Sequence, residues 1–160
     1  MNVQLIKATL SDKEVIKNLM QLYIYDFSEF VACDVEKNGL FKPYPDLDDY
    51  WEEGNGKFPY IIQCGNKYAG FVLIRYIRSG QQSYFSMAEF FVMKKFRRKG
   101  IGKLVAGIAF TLHKGRWEIY QKESNKPAQL FWTNVIGDFT KGQFEERFEK
   151  DKRIQSFEIA

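Results

Sequence analysis

Residues 87–103 read MAEFFVMKKFRRKGIGK. An apolar strand ending at Val92 runs into a short basic turn with glycines at 100 and 102, and the turn opens an amphipathic helix. Glycines one residue apart let a ligand approach the backbone without interference from Cβ. A helix start presents about four unpaired N–H groups and the positive end of the dipole, together an anion site. Lys94, Lys95, Arg97, Arg98, Lys99 and Lys103 add six positive charges in ten residues. A phosphate or pyrophosphate suits such a turn, and each charge-assisted hydrogen bond to it contributes roughly 1.5–3 kcal/mol. Two other phosphate motifs fail here. A Walker loop needs glycine where Arg97 stands and Ser or Thr where Leu104 stands, and a dinucleotide fingerprint needs Gly or Ala at Val105. For a lone G-x-G, a solvated basic turn is the plain alternative.

Outward from this stretch, periodicity assigns the remaining elements. Upstream, residues 3–8 alternate like a strand, and Ser11-Asp12-Lys13-Glu14 matches a capping box opening a helix that runs to about Phe30. Residues 31–57, broken by Pro43, Pro45 and several glycines, read as loop with one short helix. Strands follow at 58–64 and 68–77, joined at Gly65-Asn66, and at 83–93. Downstream, the helix from Gly100 to His113 carries Ile101, Leu104, Val105, Ile108, Ala109 and Leu112 at helical spacing. Arg116–Lys122 reads as a strand, Lys126–Ile136 as a helix, and 142–149 and 153–159 as two final strands. The order is an α/β (α+β) mixture too irregular for a doubly wound sheet.

The chain has 160 residues, the size of a single domain spanning 1–160. Apolar residues make up 45% and charged residues 28%, which excludes wholesale disorder. Aromatic residues reach 17%, favouring a strand-rich core. A net charge of +4 alone would weakly suggest an anionic partner such as nucleic acid or a membrane surface. That charge is segregated, however. Residues 26–53 hold nine acids against two lysines, whereas the basic cluster is confined to 94–103, which argues against a nucleic-acid partner. Cys33 and Cys64 match no metal-binding spacing and cannot make a disulfide framework. The first residues hold no long apolar stretch, so a cytoplasmic protein without membrane attachment is expected.

Arg97-x-x-Gly100-x-Gly102 after a strand ending in Val92 resembles the acetyl-coenzyme A signature of the GNAT N-acetyltransferase superfamily, [QR]-x-x-G-x-[GA]. Asn125-Lys126-Pro127-Ala128 followed by Phe131-Trp132 is similar to that family's second motif, N-x-x-A-x-x-[FY]-[YF]. The element order matches over essentially the whole chain, and the pattern looks like an uncharacterised subgroup of predicted acetyltransferases. The resemblance implies a mixed central sheet of about seven strands, splayed at the cofactor site and flanked by about four helices. It implies acetyl-CoA as co-substrate, a small-molecule amine as acceptor, direct attack in a ternary complex, and often a homodimer. The strand before the glycine turn would bulge, and Phe90, Phe91 and Val92 would hold the pantetheine arm through their backbone. Arg97, Arg98, Lys99, Gly100, Ile101, Gly102 and Lys103 would cradle the pyrophosphate, with Asn125, Ala128, Phe131 and Trp132 on the far side. Asn125 reads equally as the cap of the helix beginning near Lys126.

Transfer to an amine requires a base. Glu89 is an odd residue within MAEFFVM, and desolvation among Phe and Met would raise its pKa toward neutrality. A solvent-facing Glu is the alternative. Glu118, in the following strand, resembles a base used by some relatives, although a cross-strand partner for Lys or Arg is its plainer reading. Trp132 departs from the pattern, because many relatives carry there a tyrosine that protonates the leaving thiolate and indole gives up no proton in this range. Tyr120 or Ser124 would have to serve, or the thiolate leaves with hydrogen-bond support alone. That departure keeps a second reading open, an acyl-CoA-binding module with weak catalysis. Tyr25, Asp26 and Glu29, in the acidic, aromatic segment, are the expected acceptor contacts and would draw a cationic amine.

Overall fold

The computed structural model describes residues 2–160. β1 (Val3–Lys7) leads to α1 (Lys13–Phe27) through a turn of 3-10 helix at Leu10–Asp12. Thr9 and Asp12 cap this start in place of the expected Ser11 and Glu14. The Thr9 N–H donates to the Asp12 carboxylate at 2.8 Å, and the Asp12 N–H to the Thr9 carbonyl at 2.9 Å. The 3-10 turn moves the first orphan N–H groups upstream of α1, so the cap moves with them. At the other end Ser28 donates its hydroxyl to the Tyr25 carbonyl at 2.6 Å, and α1 stops at Phe27 rather than Phe30.

The remaining elements are β2 (Lys57–Cys64), β3 (Lys67–Ile77), β4 (Tyr84–Val92), α2 (Ile101–Leu112), β5 (Gly115–Lys122), α3 (Lys126–Thr140), β6 (Glu145–Glu149) and β7 (Lys152–Ile159). They form the expected seven-stranded mixed sheet, ordered β1-β2-β3-β4-β5-β7-β6, with β4 and β5 parallel and every other pair antiparallel. Among the described residues there are three α-helices rather than about four. The short helix expected within 31–57 is a 3-10 turn, Leu47–Trp51, which buries Leu47 and Tyr50. None of the helices is long and apolar enough to cross a membrane.

α1 covers one sheet face, packing Ile16 and Met20 against Ile61, Phe71, Leu73 and Phe91. α2 and α3 cover the other, where Val105, Phe110 and Ile136 meet Val72, Ile74, Trp117 and Phe157. Of the stripe read on α2, Ile101, Val105 and Ala109 are buried together with Ala106 and Phe110, while Leu104 and Leu112 are half exposed. The helix is apolar nearly all round, so its period singles out no face.

Two irregularities of the sheet open a site at its centre. Leu73 pairs with Glu89 but Ile74 pairs with Met87, which leaves Ala88 as an extra residue in β4. Because side chains alternate between faces, this bulge turns Glu89 to the α1 face, where strict alternation from Met87 would send it to the α2 face. Second, β4 and β5 pair only at Phe85 and Trp117, and beyond that point the strands part.

Candidate active site

A cleft of about 940 Å³ opens where β4 and β5 diverge. The Met93 N–H donates to the Ala69 carbonyl on the β3 side. Backbone groups alternate along a strand, so Phe91 also faces β3, whereas Phe90 and Val92 turn their backbone groups to the open edge. The expected bulge is therefore present but sits at Ala88, two residues before Phe90. All three of Phe90, Phe91 and Val92 line the cleft.

Past Val92 the chain turns through Arg98 and Gly100, both with positive φ (60° and 77°), into the start of α2. A positive φ at an arginine is strained backbone, of the kind found at ligand clamps. Among the described residues, no acceptor pairs with the N–H of any residue from Arg98 to Lys103. Six consecutive free donors at a helix N-terminus form an anion cradle. At Gly102 a Cβ would come within 2.9 Å of the Phe131 ring, so this position stays bare to let α3 close in. Arg97 acts differently from its neighbours. Its Nε donates to the Val92 carbonyl at 2.7 Å and its terminal nitrogen pairs with Asp26 at 2.5 Å, tying the end of α1 to the end of β4.

Asn125, Ala128, Phe131 and Trp132 form the opposite wall. The Asn125 side-chain carbonyl accepts the Ala128 N–H at 3.1 Å, capping α3, while the residue lines the cleft as well. Trp132 is buried edge-on against Phe90 and Phe131, at centroid distances of 5.0 and 4.9 Å.

Halfway along the cleft Glu89 accepts a hydrogen bond from the Tyr23 hydroxyl on one oxygen and from the Tyr44 hydroxyl on the other, each at 2.8 Å. Burial raises the Glu89 pKa, and the two phenols hold it back in part. Tyr23 and Tyr44 are themselves pushed up, first by burial and then by the adjacent carboxylate. Tyr120, on β5, is raised by burial and by the charge of Glu89. The Gln21 side chain fixes the loop that delivers Tyr44. Its amide nitrogen donates to the Phe41 carbonyl at 3.0 Å and its oxygen accepts the Phe41 N–H at 2.9 Å.

The cleft thus gathers Glu89, Tyr120, Asp26, Glu29, Phe90, Phe91, Val92, Arg97, Arg98, Gly100, Gly102, Lys103, Asn125, Ala128, Phe131 and Trp132. It does not gather four other expected residues. Glu118 lies outside it, paired with Arg116 at 3.4 Å and Arg147 at 2.9 Å, and so takes the cross-strand role. Tyr25 points away and is 68% exposed. Ile101 is buried in the core and Lys99 is exposed, so only their N–H groups belong to the turn. Asp26 is neutralised by Arg97 and by Lys94 at 3.6 Å. Sequence reasoning misses Tyr23 and Tyr44 as partners of Glu89. Tyr23 carries one sign, a phenol closing an apolar helical stripe, which needs a buried partner for its hydroxyl.

The profile of the acetyltransferase (GNAT) family matches residues 19–137. The fold is shared with an acetyltransferase from Thermus thermophilus (TM-score 0.69, 11% identity, covering 99% of this chain and 98% of that one). It is shared with a GNAT-family acetyltransferase from Staphylococcus aureus (0.70, 15%, 99% and 100%). A third likeness is the PaiA N-acetyltransferase of Thermoplasma acidophilum, solved in complex with coenzyme A (0.64, 12%, 99% and 99%). Among curated protein sequences none matches. The chain belongs to the GNAT acetyltransferase family, enzymes that take their acetyl group from acetyl-CoA. The free donors at 98–103 fit that donor's phosphates.

Proposed function

We propose that the protein is an N-acetyltransferase that acetylates the primary amine of a small molecule, both substrates being bound together. One observation carries this reading: a row of free N–H donors and a half-buried, doubly hydrogen-bonded carboxylate occupy the same cleft. Acetyl-CoA supplies an acyl group already activated as a thioester. The N–H groups of Arg98 to Lys103 bind its diphosphate, and the open edges of Phe90 and Val92 align the pantetheine arm. Glu89 takes the proton that the attacking amine must lose. Its raised pKa suits a base working near neutrality, where general bases contribute typically 10²–10⁴-fold. Tyr120, half-exposed on the β5 wall of the cleft, keeps its proton through partial desolvation and the charge of Glu89, and gives it to the departing sulfur. Trp132 fills space against Phe90 and Phe131, and Ser124 donates to the Phe30 carbonyl outside the cleft lining, which favours Tyr120 as the acid. The test is thiol release from acetyl-CoA across a panel of small amines. Amine-dependent release that tracks formation of the N-acetyl product is expected, and release without an acetylated amine overturns the reading.

A further inference from the structure

Two cations have no acidic partner among the described residues: Lys152, which lines the cleft, and Arg75, on β3 beside it. Arg75 follows Leu73 by two residues on β3, and Leu73 is the strand partner of Glu89, so Arg75 and Glu89 project from the same face of the sheet. Its charge bears on the phenols of Tyr50 and Tyr120, both of which also feel the charge of Glu89. Lys152 lines the cleft with its ammonium 4.4 Å from the centre of the Tyr120 ring. Most nearby carboxylates are engaged elsewhere, and Glu29 lines the cleft without forming an ion pair with either cation. Asp26 holds Arg97 and Lys94, Asp49 holds Lys57, Asp151 holds Lys122, and both oxygens of Glu89 accept phenols. Around Tyr120 and Glu89 two cations without an acidic partner therefore stand beside the carboxylate, a mixed charge rather than the negative wall that the acidic composition of residues 26–53 suggests.

We propose that the acceptor is an amine that also carries an anionic group, a carboxylate or a phosphate, which Arg75 and Lys152 hold while the amine reaches Glu89. The proposal rests on the acetyl-transfer reading above. An amine and an anion on one molecule meet a base and a cation on one face, and a guanidinium gives a carboxylate or phosphate a matching pair of donors. A second cation on the acceptor, in place of the anion, would meet the like charge of Arg75 and Lys152.

The test uses matched acceptors on one carbon skeleton: 4-aminobutyrate, its carboxamide and 1,4-diaminobutane. Phosphoethanolamine against ethanolamine separates phosphate from carboxylate as the preferred anion. The acetylation kcat/KM for an anionic acceptor should exceed that of its uncharged analogue by about tenfold or more, the worth of one charge-assisted hydrogen bond. Arg75→Gln should collapse that ratio. The ratio is taken within one variant, so a folding defect that lowers both rates leaves it unmoved. Equilibrium binding of the same compounds to the coenzyme A-loaded protein should show the same order without turnover. Acetylation of the diamine or the amides as well as of the anionic amines, or a ratio unchanged in Arg75→Gln, overturns this proposal and leaves acetyl transfer standing. Failure to acetylate any amine, with no binding preference for the anions, overturns both.

Discussion

Glu89 has two phenols on its oxygens and a third across the cleft, and these partners set its chemistry. Replacing it with glutamine, which keeps the shape and removes the base, should lower kcat by about 10²–10⁴ with little change in the KM for acetyl-CoA. The wild-type rate should rise with pH along a limb lying above the ordinary carboxylate range, because burial raises this pKa. The glutamine variant should lose that limb, and an unchanged pH–rate profile would remove Glu89 from the mechanism. Stability carries the opposite sign. A carboxyl whose pKa is raised by folding binds its proton more tightly in the folded state, so its contribution is full below the unfolded value and lost as pH rises through the folded one. Part of this was readable in the chain. A lone Glu among Phe and Met announces a desolvated carboxylate, but Tyr44 is brought from 45 residues away by a loop whose anchor, Gln21, carries no sequence signal.

At the scale of elements, local chemistry was legible and register was not. The glycine turn follows from residues adjacent in sequence, whereas the Ala88 bulge depends on how β4 lies against β3, which periodicity cannot report. Gly70 exposes that dependence. A Cβ there would come within 1.8 Å of the Phe91 carbonyl oxygen, so β3 and β4 run too close for any side chain at this point. Gly70→Ala must push back the strand that carries Phe90 and Val92. It should cost about 3 kcal/mol in urea unfolding and weaken coenzyme A binding in the residual folded protein. Full coenzyme A affinity in the folded variant would show that the strand position does not matter to the site. The Arg97–Asp26 pair is likewise an element-level device, joining α1 to β4, although the signature motif presents Arg97 as part of the phosphate turn.

Across the whole molecule, composition misleads where pairing decides. Counting acids in residues 26–53 suggests a negative wall, but Asp26 and Asp49 are engaged by cations from other elements. The basic cluster is a better guide, because the donors that matter there are backbone groups fixed by the turn itself. Coenzyme A at 100 times its dissociation constant should stabilise the fold by about 2.7 kcal/mol, raising Tm by about 5–10 °C in a chain of this size. Hydrogen exchange should slow at the amides of Arg98 to Lys103, because those donors gain partners only on binding. Stabilisation without such protection would place the ligand elsewhere.

A single residue pair, Phe85 with Trp117, joins β4 to β5. With so little ladder across the divide, the angle between the two halves of the sheet is set by the aromatic stack behind it, where Phe110 meets Trp117 at 5.0 Å and Phe157 at 5.2 Å. The gauge of the donor slot is therefore held at a distance from the slot, on its buried reverse side. Trimming or enlarging those rings is a way to retune the enzyme for bulkier acyl groups while every residue that touches the substrates stays as it is.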